Sequence, residues 1–318
     1  MKTLEEFRQF FETTLKGPLT ELEAKRKQIV FNIWISLLVT LVVLSFFSIF
    51  TGAAALFILP FAAAIVFLIA RFFLSKDYAQ EFKEKIIQLI VKFIDPSLEY
   101  ESAGFIAECV FMGSQIFKIS PDRYRGDDFV SGVLGKTQIS FSELHAEYKT
   151  ETRDSQGRTQ TQWHTIFKGL FVIADFNKNF QGTTVVLPDT AERLFGHLGK
   201  MLQSWNIMRG QLIQLEDPEF EKLFAVYGDN QVEARYILST SLMKRIVDFK
   251  KKSGRQIYLS FVGSKVFVAI SYIRNLFEPR VFRTLLDFAP MQEYFGDLEL
   301  ALGVVDDLNL NTRIWSKQ

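Results

Sequence analysis

The sequence predicts an α+β cytoplasmic domain, an antiparallel sheet with flanking helices, on an N-terminal two-helix transmembrane hairpin with a helical stalk. Three observations predict it. A run of 43 residues, 28–70, contains no charge. Apolar stripes at helical spacing flank that run on both sides. Beyond Pro96, short β-branched and aromatic runs come first, and helices with a late hairpin follow. That grouping belongs to α+β folds rather than to a repeating βαβ sheet.

A single membrane crossing needs about 20 apolar residues, so the charge-free run is too long for one span and right for two. Thr51-Gly52 is the natural break and gives spans at 29–50 and 53–70. Pro60 falls inside the second span, where neighbouring helices satisfy the carbonyl it frees. Lys25, Arg26 and Lys27 precede the first span, Arg71 and Lys76 follow the second, and the tip between them is uncharged. The positive-inside rule then places both termini in the cytoplasm. The run starts late and far exceeds a signal peptide's apolar core of roughly 7 to 15 residues, which argues against cleavage. A buried hairpin of a soluble protein is the competing reading, and the length and lack of charge argue against it.

Residues 1–28 read as an amphipathic helix. Leu4, Phe7, Phe11, Leu15, Pro18 and Leu22 recur at three- and four-residue steps. Phe82, Ile86, Leu89 and Phe93 do the same within 71–95, and Asp95-Pro96 ends that helix. Two such helices leaving one end of a hairpin bury their stripes together as a stalk. The competing arrangement lays residues 1–28 flat on the bilayer; the acids Glu5, Glu6, Glu12, Glu21 and Glu23 favour the stalk.

Residues 96–318 form the predicted domain. "TQISFSELHAEYKTETR" and "TQWHTIFKGLFVIADF" flank "DSQG" as two long antiparallel strands. The second is apolar on both faces, as in a central strand covered on both sides. "TTVVLPD" is a further strand leading into a helix with Ala191, Leu194, Phe195, Leu198 and Leu202. "GQLIQLED" reads as a strand, "PEFEKLF" as a short helix with Pro at its start, and "STSLMKRIVDFKKKSG" as a helix stopped by Gly254. "RQIYLSFVGSKVFVAISY" reads as a hairpin turning at Gly263-Ser264. Helical stretches at 281–288 and 291–306 complete the chain before a polar tail.

Composition limits the chemistry. Lys+Arg number 37 against Asp+Glu 36, so no global attraction to nucleic acid is expected. Cys109 is the only cysteine, which rules out an intrachain disulfide, and its apolar neighbours predict a buried, inert thiol. His145, His164 and His197 have no partners at ligand spacing, so no His/Cys zinc site is expected, and no cofactor is called for. His145 and His164 fall on neighbouring strands and could face each other. "GVLGKT" at 132–137 lacks the first glycine of a phosphate loop, since Val130 occupies that place.

Asp229, Glu233 and Arg235 within "AVYGDNQVEARYILST" are the candidate catalytic residues, with Glu216, Asp217, Glu219 and Glu221 nearby. The structural reading makes Asn230 and Glu233 a capping box, turns Val232 and Tyr236 to the core, and has Arg235 seek an acid. For membrane-surface contact the candidates are Lys25, Arg26, Lys27, Arg71, Lys250, Lys251 and Lys252. For 250–252 the alternative is the exposed C-terminal end of a helix, where cations suit the dipole.

The phrases "LEDPEFEKLFAVYGDNQVEARYILSTSLMKRI", "FKGLFVIADFNKNFQGTTVVLPD", "NLFEP" and "LNLNTRIW" make the chain resemble the bacterial membrane-protein family catalogued as domain of unknown function 3137. The likeness covers nearly the whole chain. It implies a bacterial inner-membrane protein with a cytosolic domain, no assigned activity and no catalytic residue to carry over. It also implies a LemA-like membrane protein as a candidate partner. The expected function is protein interaction or regulation by the cytoplasmic domain at the lipid bilayer. The alternatives are a membrane-tethered hydrolase or transferase using the acidic/Arg cluster, and a lipid-binding domain at the cytoplasmic leaflet. A homo-oligomer stays open.

Overall fold

The computed structural model describes residues 2–51, 54–153, 157–176, 179–189 and 210–311. They form two compact units. One holds Lys2–Phe93 and Phe277–Gly296; the other holds Ile94–Leu276 and Asp297–Gln318. A division by chain position at residue 95 therefore does not separate the units, because 277–296 returns to the helical one.

In the helical unit, Thr3 opens helix α1 (Leu4–Phe10) with a complete capping box: it accepts from Glu6 N–H, and the Glu6 carboxylate accepts from Thr3 N–H. A wide π-helical turn, Phe11–Leu15, leads into α2 (Lys16–Thr51). Helix α3 (Ala54–Phe82) passes through a second such turn, Lys83–Ile87, into α4 (Gln88–Ile94). The two helical arms run antiparallel. Lys25 meets Glu81 at 2.6 Å, Lys85 meets Glu21 at 3.8 Å, and Phe10 stacks on Phe93 at 4.3 Å.

The predicted stripes meet. Phe7, Phe11, Leu15 and Leu22 are buried on one arm, and Phe82, Ile86, Ile90 and Val91 on the other. The N-terminal helix thus buries its stripe against the second arm, Phe288 and Phe295 rather than exposing it. Leu4 departs from the pattern and is exposed, and Pro18, Leu89 and Phe93 are only half-buried, with Leu19, Ile90 and Val91 buried beside them. Phe7 is the centre of the packing, with its ring 4.3 Å from Phe295 and 5.9 Å from both Phe93 and Phe288. Burying one such side chain stabilises by about 1.5–3 kcal/mol, and each offset pair adds about 0.5–1.5 kcal/mol.

Phe288 and Phe295 belong to α9 (Phe288–Asp307), one unbroken helix where helices at 281–288 and 291–306 were expected. Pro290 lies in its first turn, where no intrahelical amide bond is lost. Residues 281–287 form a loop instead.

Farther along, the arms change character. Among the described residues one helical stretch, Leu4–Phe46, is long and apolar enough to cross a membrane. The expected second span, 53–70, lies partly outside the described residues. On α2, Phe31, Trp34, Leu38, Val42 and Phe46 are each more than half exposed at three- and four-residue steps; on α3 so are Phe61, Ile65 and Leu68.

The other unit is built on one antiparallel sheet. Among the described residues its nine strands are β1 (Glu99–Glu101), β2 (Arg123–Leu134), β3 (Thr137–Arg153), β4 (Thr159–Asp175), β5 (Thr183–Pro188), β6 (Gln211–Ile213), β7 (Phe224–Gly228), β8 (Ile257–Val262) and β9 (Lys265–Ser271). The order is β1-β2-β3-β4-β9-β8-β5-β7-β6. The long β3–β4 pair and the β8–β9 hairpin stand where the periodicity predicts. Gly263 takes φ +61° in the turn between β8 and β9. The 132–137 glycine motif is the β2–β3 connection. Strand β7 was not anticipated; it pairs with both β5 and β6.

The strands bury both faces, as expected for β4. Phe167, Phe171, Phe267 and Tyr258 share one face with Phe111 and Phe117 from the segment carrying α5 (Glu108–Gly113). Leu170, Val172, Val268 and Leu259 fill the opposite face. There Tyr272 donates to Asp297 of α9 at 3.0 Å, which sets the second half of that helix against the sheet. Beyond Glu147 and Thr165, β3 and β4 pair only with each other and leave the sheet as a two-stranded ribbon. The helix expected around 191–202, His197 within it, and residues 312–318 of the tail lie outside the described residues.

Candidate functional site

The opening charges of the 225–240 stretch act on backbone. Strand β7 ends at Gly228, and Asn230 caps α7 (Gln231–Ile237) by accepting from Val232 N–H at 2.9 Å and Glu233 N–H at 3.2 Å. That is half of a capping box. The Glu233 carboxylate does not turn back to Asn230; it accepts from Gln181 N–H and Gly182 N–H, both at 2.8 Å. Asp229 accepts from Thr183 N–H at 3.1 Å. Two carboxylates thus clamp three consecutive amides where the chain enters β5. Among the described residues Arg235 has no acidic partner; it is exposed, and its Nη2 donates to the Gln214 carbonyl at 3.4 Å.

The expected inward pair is corrected. Val232 is 79% and Tyr236 54% exposed, while Ala234 and Ile237 are buried. At 100° per residue, Ala234 lies about 160° around the helix from both Val232 and Tyr236, so only one of the two sets can face inward. The strand–helix junction chooses Ala234 and Ile237.

The acidic stretch and the basic run meet each other. Asp217 caps α6 (Pro218–Glu221), accepting from Glu219 and Phe220 N–H at 3.0 Å. Glu221 accepts from Leu215 N–H at 2.8 Å, and Glu216 is exposed. Glu219 pairs with Lys251 at 2.5 Å. Helix α8 (Thr240–Ser253), capped by Ser239 and ended by Gly254 at φ +61°, supplies that lysine. Lys252 pairs with Asp307 at 2.8 Å. Lys250 donates to the Arg255 carbonyl, and burial lowers its pKa. In the helical unit Lys25 is held by Glu81, and Arg26 by Glu23 at 2.7 Å and by the Val281 carbonyl at 2.9 Å. Lys27 is exposed, and the Arg71 side chain lies outside the described set.

The two strand histidines do not face each other. His145 opposes Lys168, and His164 opposes Tyr148, on whose ring it stacks at 4.9 Å. His164 Nε2 also lies 2.9 Å from Thr150 Oγ1. Cys109 is exposed, against the expected buried thiol, because its apolar neighbours Val110 and Phe111 turn inward on the short helix α5 and leave Cys109 outside.

Sequence reasoning missed one cluster. Asp127, Asp128 and Glu143 bring carboxylate oxygens within 4.8 Å of one another. A bulge between Asp127 and Val130 turns Asp128 to φ +58° and buries it, with its N–H on the Ser102 carbonyl and its Oδ1 on the Tyr100 hydroxyl. Glu143 accepts from Leu276 N–H at 2.7 Å. A cleft of about 200 Å³ opens beside it, lined by Arg125, Asp127, Glu143, His145, Lys168 and Asn275. Burial lowers the His145 pKa, Glu147 opposes this, and Lys168 and Arg125 reinforce it. Oxygen ligands of this kind suit a hard divalent cation, and the mixed charges around them also suit a small zwitterion. The available signal is the register. Asp127 and Glu143 sit 16 residues apart and become direct partners only once β2 is paired with β3.

Comparison with curated proteins finds no match. Among solved structures, the crystal structure of the mycobacterial trehalose monomycolate transport factor A, TtfA, is similar at 9% identity and a TM-score of 0.33, over 70% of this chain and 94% of that one. Residues 165–310, which hold the chain from the middle of β4 through α9, match the model of the family described as protein of unknown function (DUF3137), the family that the sequence resembles.

Proposed function

We propose that the protein is a two-span protein of the bacterial inner membrane, with both termini in the cytoplasm, whose α+β domain serves protein interaction or regulation there. The observation that carries this reading is the outward stripe of Phe31, Trp34, Leu38, Val42 and Phe46, matched by Phe61, Ile65 and Leu68 on α3. In water each such side chain forfeits about 1.5–3 kcal/mol of burial; in hydrocarbon it forfeits nothing. Lys27 and Arg71 border the stripe as leaflet contacts. Lys250, Lys251 and Lys252 serve as helix-end cations, since each already has a partner in the protein.

For the interaction role, support comes from β6. It is an edge strand among the described residues, and Leu212 on it, with Val232 and Tyr236 on α7, presents apolar surface. A partner that adds a strand or covers this patch is the matching chemistry. A LemA-like membrane protein and a second copy of the chain are the candidates. The test is membrane fractionation followed by mild detergent extraction and crosslinking from cysteines placed at Leu212 and Val232. Retention in membranes after alkaline washing, together with a defined crosslinked partner, is the expected result. Release by the wash would refute the anchor; recovery of the protein alone would refute the interaction role.

A further inference from the structure

The loop 278–287 returns to the helical unit and is fixed there at three points. Lys83 Nζ meets Glu278 at 2.9 Å, Arg26 donates to the Val281 carbonyl at 2.9 Å, and Glu23 accepts from Leu285 N–H at 3.0 Å. Leu285 itself is buried. The largely buried Glu23–Arg26 pair thus also holds this loop, Arg26 by donating to Val281 and Glu23 by accepting from Leu285. With 281 and 285 turned to the helices, the residues between and beyond them face out. Phe282 is 46% and Leu286 40% exposed, and Arg283 and Asp287 are exposed. Arg280 is paired with Glu293.

The Phe282 ring stacks on Phe67, centroids 6.1 Å apart and planes 16° from parallel. Phe67 lies inside the charge-free run, four residues before Arg71. The loop therefore lays an exposed aromatic against α3 inside the charge-free run, one turn from its charged end at Arg71 and next to the position of Leu68 in the apolar stripe.

Resting on the reading of α2 and α3 as membrane helices, the geometry points to residues 282–286 as a third membrane contact. Phe282 and Leu286 insert at the acyl–headgroup boundary of the cytoplasmic leaflet, and Arg283 reaches lipid phosphate. Aromatic rings favour that depth, and an arginine beside them extends its charge to the headgroups. The occupant is the bilayer because Phe282 continues the same apolar surface that the helices give to lipid.

The test uses the full chain in phosphatidylcholine/phosphatidylglycerol vesicles on a Cys109→Ser background. Single cysteines replace Glu12, Leu38, Phe282, Arg283 or Leu286 and carry an environment-sensitive fluorophore, read with shallow and deep nitroxide-labelled lipids. Arg283→Cys disturbs no buried contact and guards against misfolding of Phe282→Cys. The expected result is no quenching at Glu12, deep quenching at Leu38, and shallow quenching with a blue shift at two or more of the three loop positions. Quenching at Leu38 but at one loop position or none would overturn this inference and leave the anchor standing. No quenching at Leu38 would overturn both.

Discussion

Replacing Glu233 separates architecture from chemistry in the 225–240 stretch. Its carboxylate accepts two amide protons at 2.8 Å, from Gln181 and Gly182. A hydrogen bond to a charged group is worth about 1.5–3 kcal/mol net when well buried. Here the amides border solvent and turn to water when the carboxylate is lost, so each bond sits at or below the low end of that range. Glu233→Ala is then expected to cost about 2 kcal/mol. Glu233→Gln is expected to cost about 1 kcal/mol, because one oxygen still accepts while its NH₂ faces a donor. Asp229→Ala, which removes the one bond to Thr183, is expected to cost about 1 kcal/mol. The double variant falls short of the sum, since both side chains hold one loop. The assay is denaturant unfolding of the α+β unit in detergent, with hydrogen exchange at amides 181–183 as the local readout. A cost below about 0.5 kcal/mol for Glu233→Ala, with unchanged exchange at those amides, would refute the clamp.

Gly169 takes φ +146°, and a Cβ there would lie 2.1 Å from the Ile270 carbonyl oxygen. Gly169→Ala is therefore expected to prevent normal β4–β9 pairing, at a cost above about 3 kcal/mol, read by thermal unfolding. Phe7→Ala empties the centre of the aromatic cluster and is expected to cost about 3–5 kcal/mol, read as lost exchange protection in α1 and α4. Glu23 is held below the ordinary 4.5, first by its hydrogen bond to Arg26 and, against the cost of burial, by the Leu285 amide. Its stabilisation is thus complete above about pH 4.5 and is lost as pH falls through the lowered value. The protection factor of the Leu285 amide, its exchange rate taken relative to the intrinsic rate at the same pH, is expected to fall on acidification in the parent and to be low at every pH in Glu23→Ala. His145 is held below 6.5, so its charged form is disfavoured in the fold, and stability is expected to fall as pH drops below about 6.5. His145→Gln is expected to remove that slope in a pH series of unfolding curves.

Local chemistry alone determined a large part of this protein. The charge-free run 28–70, the alternating apolar runs of β3, β4, β8 and β9, and the caps at Thr3, Asp217, Asn230, Ser239 and Gly254 follow from near neighbours. Periodicity and capping need only residues a few positions apart, so they are legible without a fold. Tertiary structure decided what depends on distant partners. Residues 281–287 carry an apolar pattern that fits a helix, yet Glu23 and Arg26 hold them as a loop from more than 250 positions away. The face of α7 was set by the β7 junction, because both phases of "QVEARYI" offer apolar residues. Asp127 and Glu143 became neighbours through strand register, and Glu233 found its amides across 52 positions of chain. Local spacing specifies which element forms; long-range packing and pairing choose which of its faces and charges are left to act.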